Sequence, residues 1–136
     1  MWLDFEDWHN RGGLVARGVL LDYKAYADAH GISYSPFERH EISLADLQAV
    51  AKSQGTTFRA GDVLIVRTGF TEALQAQTKE EQHDSIESNM AVGVAGSEDV
   101  ARWVWNNHFA AVAGDAIGFE VIPPVPGGVK NFGTFA

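Results

Sequence analysis

The chain has 136 residues, 46% hydrophobic and 21% charged, with ten basic against eighteen acidic side chains, a formal net charge of −8, five histidines and no cysteine. That is one domain's worth of chain with the composition of a core-forming globular protein, so disordered, collagen-like and coiled-coil classes fall away. The acidic balance, with Lys and Arg scattered singly from Arg11 to Lys130, disfavours nucleic acid, and without cysteine there is no disulfide, thiolate nucleophile or Cys-based zinc site.

The N-terminal run Met1-Trp2-Leu3-Asp4-Phe5-Glu6-Asp7 is acidic and lacks the basic and apolar regions of a signal peptide. No apolar run approaches the roughly 18 residues that would span a bilayer, so the expectation is no membrane and a cytoplasmic protein. Gly12-Gly13 marks a turn, and Gly18-Val19-Leu20-Leu21-Asp22 reads as a buried strand. Tyr23 to His30 has helical composition and stops at Gly31, a C-cap. Residues 33–41, with Pro36, are expected to form an exposed loop. Ser43 with Asp46 three positions on makes a capping-box variant for a helix that carries Leu44, Leu47, Val50 and Ala51 and ends at Gly55.

After the turn signal Arg59-Ala60-Gly61-Asp62, the run Val63 to Gly69 is continuously apolar and β-branched, as in a central strand covered on both faces. Residues 71–87 predict one or two polar surface helices, and 90–96 a loop or short extended piece. Ser97, followed by Glu98 and Asp99, caps a helix whose apolar face takes in Val100, Trp103, Val104 and Phe109. Ala110 to Asp115 reads as a further buried strand, and strands alternating with amphipathic helices indicate an α/β domain. Residues 1–124 are taken as that single domain and 125–136 as a Gly/Pro-containing tail.

His9, His30, His40, His83 and His108 fall in no metal-binding spacing, and the preferred reading for each is an exposed or structurally hydrogen-bonded imidazole. Aromatic neighbours set His9 and His108 apart. Asp115 and Glu120 lie near the end of a predicted strand, where α/β folds present functional groups. They are either an acid–base or metal-binding pair, if the side chains converge, or a turn cap and a salt bridge. Asp22 carries the same ambiguity. Arg67 leaves the most apolar strand and suits a substrate carboxylate, or equally a structural partner such as Asp62 or Asp115. There is no G-x-S-x-G, P-loop or G-x-G-x-x-G. Trp2, Phe5, Trp8, Trp103 and Trp105 line a pocket or partner surface, or pack in the core, the latter preferred for Trp103.

Three segments, taken in order, resemble the cyclase family of metal-dependent hydrolases that includes kynurenine formamidase and isatin hydrolase. They are Arg17 to Tyr23, Gly61 to Phe70, and Ala110 to Asp115 with Glu120 and Pro123; the Trp8-His9 pair before the first strand is similar to the longer subgroup. The resemblance covers residues 8 to 124 and implies a partial swivelling β/β/α fold, a homo-oligomer, and hydrolysis of an amide, lactam or lactone by water on Zn²⁺ or Mn²⁺. The family's H-x-G-T-H-x-D motif is not among the residues ahead of the first matching strand, and the His and Glu that follow the third segment in the family are not found after Pro124. No family metal ligand carries over to any position, so no metal residue and no cofactor is expected in this chain.

The chain thus reads as the middle of a cyclase, truncated relative to the family and inactive in that chemistry as it stands. Two other readings remain open: a non-catalytic module that binds a small molecule or a protein, and a metal-free enzyme using Asp115, Glu120 and Arg67 with His9.

Overall fold

A computed structural model describes residues 5–124. The elements are α1 (Phe5–Asn10), β1 (Gly18–Asp22), α2 (Tyr23–His30), β2 (Glu41–Ile42), α3 (Leu44–Gln54), β3 (Val63–Arg67), α4 (Phe70–Gln75), α5 (Lys79–Glu87), β4 (Gly93–Val94), α6 (Glu98–Asn106) and β5 (Ala111–Gly114). The predicted tail, 125–136, lies outside the described residues.

Helix ends follow the local chemistry. Asp22 accepts a hydrogen bond from the Ala25 N–H at 2.9 Å to start α2, and Gly31, at φ 68°, ends it in the left-handed conformation that glycine adopts without a Cβ penalty. Ser43 and Asp46 form a reciprocal capping box on α3, Thr78 and Glu81 form another on α5, and Ser97 caps α6.

Strands β1, β3 and β5 form a parallel sheet in the order β1-β3-β5, with Gly18 opposite Val63, Asp22 opposite Arg67 and Val63 opposite Ala111. A second, two-stranded parallel sheet pairs β2 with β4, and Glu120 bridges to Val94 beside it. Gly93 is required there: a Cβ would sit 2.4 Å from the backbone carbonyl carbon of Glu120. The core lies between the sheets and the helices. Val19, Leu21, Leu64 and Val66 point inward from β1 and β3 onto Tyr23 and Ala27 of α2, Leu47, Val50 and Ala51 of α3, and Val92, Val94 and Val100. Burial of this apolar surface is the main stabilising term.

Four expectations are corrected. Strand β3 is central in the sheet order, but only its inner face is buried; Ile65 on the outer face is 36% exposed and Leu20 beside it 44%. Strand β5 is not buried, because it is an edge strand with Val112, Ala113 and Gly114 exposed. Phe109 is not on α6, which ends at Asn106; the chain turns through His108 at φ 54°, and Phe109 packs edge-on against Phe58 and Trp103 with ring centroids 5.3 and 5.5 Å apart. The 33–41 segment is a loop up to the short strand β2, but Tyr34, Phe37 and His40 are half-buried rather than exposed.

Candidate functional site

The carboxyl ends of β1, β3 and β5 open onto a shallow groove of about 440 Å³ whose lining includes Leu20, Ile65, Arg67, Glu72, Gln75 and Asp115. This is the end at which open parallel sheets present ligand sites, because loops there diverge to the two sides of the sheet.

Asp115 follows β5 directly. Its Oδ1 accepts from the Thr68 N–H at 2.6 Å and from Thr68 Oγ1 at 2.7 Å, and its Oδ2 accepts from the Gly69 N–H at 2.9 Å. Both oxygens are therefore engaged with the turn that leads from β3 into α4. Thr71 Oγ1 adds a bond to the Asp115 carbonyl at 2.7 Å.

Arg67 stands beside it on β3. Its Nη1 donates to both oxygens of Asp22, at 2.9 and 3.0 Å, and its Nη2 donates to Glu72. The hydrogen bond to Asp22, then the charges of Asp22 and Glu72, hold the guanidinium in its charged form against the cost of burial. The structural partners of Arg67 are Asp22 and Glu72, in place of the Asp62 or Asp115 that the sequence suggests. Asp62 instead takes Arg17 in a two-point pair, Nε to Oδ1 at 2.7 Å and Nη2 to Oδ2 at 2.6 Å. The Arg17 hydrogen bond holds the buried Asp62 carboxyl below the usual range, and the Arg59 N–H adds to this at 2.7 Å.

Glu120 belongs to different surroundings. Its side chain lies over Gly96, where a Cβ would come within 3.2 Å of Oε2, and it has no hydrogen-bond or ion-pair partner among the described residues. Burial pushes its carboxyl above the ordinary value. Asp115 and Glu120 thus serve separate segments, the first the 68–69 turn and the second the 93–96 strand end. His9 is exposed in the last turn of α1, and its carbonyl accepts from the Gly12 N–H at 3.1 Å.

Four of the five histidines, His9, His30, His83 and His108, are exposed. The fifth, His40, is half-buried and is the one that joins a polar cluster. Its Nε2 shares a hydrogen bond with the Tyr23 hydroxyl at 2.7 Å, and its ring stacks on Tyr34 with centroids 4.5 Å apart. The sequence reading leaves His40, like the other histidines, as exposed or structurally hydrogen-bonded and does not find its tyrosines. Nor does it find Arg17–Asp62, although a signal exists: each residue immediately precedes one of two apolar strands that pair in register.

The family model Cyclase matches residues 8–121. The chain belongs to the cyclase family. Four solved chains match, among them the crystal structure of a protein described as a novel cyclase, with a TM-score of 0.69 and 27% sequence identity over 84% of this chain. The match covers 35% of that solved chain, so this cyclase-family chain spans about a third of its length. No curated protein matches.

The family resemblance brings with it Zn²⁺ or Mn²⁺, and the donor set can be compared with that requirement. Zinc sites use three or four His, Cys or carboxylate donors converging on one point. Among the described residues no group of three or more such side chains stands together to hold a metal ion. Glu72 and Asp115, the carboxylates in the groove's lining, and Asp22 beside Arg67 are already engaged by Arg67 or by the 68–69 turn. These residues do not fit the ion. No helix among the described residues is long and apolar enough to cross a membrane.

Proposed function

We propose that this chain is the framework portion of a cyclase-family hydrolase for amides, lactams or lactones, and that its own residues do not carry out that hydrolysis unaided. The observation that carries this reading is the engagement of both leading candidates. Arg67 is neutralised by two carboxylates and Asp115 accepts three bonds from the turn beside it, so both groups hold the groove's shape. A free nucleophile, base or Lewis-acid site would leave such groups facing open space.

Residues 1–124 act in this reading as one domain with 125–136 as a tail, in a cytoplasmic homo-oligomer. Support for an oligomer comes from the outer face of the sheet: all-parallel sheets are ordinarily covered on both faces, and here Leu20 and Ile65 stand bare. A second reading, a non-catalytic module for a small molecule, is favoured by the groove itself, whose lining mixes apolar Leu20 and Ile65 with polar Arg67, Glu72, Gln75 and Asp115.

The test is elemental analysis of protein purified without chelator, with hydrolysis of amide, lactam and lactone probes followed with and without added Zn²⁺ or Mn²⁺. The expected result is substoichiometric metal and no hydrolysis above background. Stoichiometric metal with hydrolysis would overturn the reading, and so would metal-independent hydrolysis abolished by Asp115→Asn or Glu120→Gln in a folded protein.

A further inference from the structure

We propose that Tyr23, Tyr34 and His40 form a proton-sensitive clasp, which holds the 33–40 strap against β4 and the 68–69 turn at neutral pH and loosens it in acid. The inference is independent of any catalytic role for the chain.

The strap is fastened at four points. The Pro36 carbonyl accepts from the Val92 N–H at 3.0 Å, and the His40 carbonyl accepts from the Gly93 N–H at 3.1 Å, next to and within β4. Tyr34 Oη donates to the Thr68 carbonyl at 2.6 Å, beside the turn that Asp115 holds. Arg39 Nε reaches the Pro123 carbonyl at 3.1 Å. His40 sits between the strap and α2, linking these fastenings to the core through Tyr23.

The chemistry of that link makes it proton-sensitive. Tyr23 is buried, and the structure gives its hydroxyl one partner, His40 Nε2 at 2.7 Å. A hydroxyl donates to Nε2 only if that nitrogen is unprotonated, so the neutral imidazole with its proton on Nδ1 is the form that satisfies the pair. Protonating Nε2 turns the acceptor into a donor. The Tyr23 hydroxyl hydrogen must then rotate away into a packed interior, and Tyr34, whose own hydroxyl is committed to Thr68, cannot take its place. A buried donor left without an acceptor is costly, and because His40 stands on the strap, the strap's fastenings are where that cost is relieved.

The charged surroundings do not cancel this. On α3, Asp46 favours the imidazolium, but its carboxylate is bonded to the Ser43 N–H and hydroxyl, and burial outweighs its effect, holding His40 below its ordinary value. On the strap and β2, Arg39 and Glu41 are paired with one another at 2.7 Å. On α2, Tyr23 itself stays neutral, its phenol pushed up first by burial and then by Asp46. From β4 (Gly93–Val94), which carries no titratable side chain, the Gly93 N–H donates to the His40 carbonyl.

The experiment is amide hydrogen exchange and histidine NMR on the intact chain between pH 7.5 and 5. The expected result is His40 titrating below its ordinary pKa of about 6.5, with protection factors of the Val92 and Gly93 amides falling roughly tenfold across that titration while those of Leu64 and Val66 in β3 hold. His40→Gln keeps an acceptor for the Tyr23 hydroxyl and gains no proton, so in that variant the pH dependence of Val92 and Gly93 protection disappears. The proposal is overturned if His40 titrates at or above its ordinary value, or if the two amides ignore its titration. It is equally overturned if β3 loses protection in parallel, or if His40→Gln retains the pH dependence. The wild-type comparison decides alone should the variant fail to fold.

Discussion

On the inner face of the three-stranded sheet, Val19, Leu21, Leu64 and Val66 are sealed beneath α2 and α3, whereas one residue along each strand, on the outer face, Leu20 and Ile65 stand 44% and 36% exposed. The strands are the same and the side chains are of the same kind, so the contrast lies in what covers them. Strand composition says that a residue is fit for a sheet interior; only a second layer makes it one. The contrast also bears on the chain's place in its family, since the match takes in 35% of the solved cyclase it resembles.

Adjacent leucines on β1 give the sharpest way to break this comparison. Leu21→Ala leaves a cavity in a packed core and is expected to cost about 2–5 kcal/mol in denaturant unfolding. At the end of the sheet, Asp115→Ala removes three hydrogen bonds to a carboxylate and is expected to cost about 3 kcal/mol, with Asp115→Asn recovering part of it because one oxygen still accepts from Thr68. Full activity loss with no loss of stability in Asp115→Asn would instead place that carboxylate in the chemistry. On the outer face, Leu20→Ala is expected to cost about 0.5 kcal/mol or less in protein dilute enough to be a single chain, and more at concentrations where the proposed oligomer covers that face. A cost near that of Leu21→Ala would mean that the outer face is covered in solution, and a concentration-dependent midpoint would identify a second copy as the cover.

The ends of the β1–β3 ladder show how register is fixed. Arg17 pairs with Asp62 before the strands begin, and Asp22 pairs with Arg67 where they end, so the charge order is reversed between the two ends. A slip of one residue would break both pairs and turn the inner apolar row outward. Each partner is visible in the sequence, but the pairs are 45 positions apart and become legible only once the strands are known to be neighbours. The same holds for the candidate site. Asp115, Glu120 and Arg67 stand out individually as polar groups at strand ends, yet nothing local says that Asp115 and Arg67 are consumed by the turn and by two carboxylates while Glu120 is left over Gly96.

What the sequence determined by itself is the set of elements and their ends. Helix caps at Ser43 and Ser97 and left-handed stops at Gly31 and Gly55 are decided within a few residues, and the apolar runs at 18–22 and 63–67 carry the composition of strands. Family membership was legible for the same reason, because three such segments in order carry it. The tertiary structure alone decided which strand faces are sealed, which carboxylates are spent and that Tyr23, Tyr34 and His40 meet. Burial and pairing are properties of neighbours far apart in the chain, and local sequence carries no record of who those neighbours are.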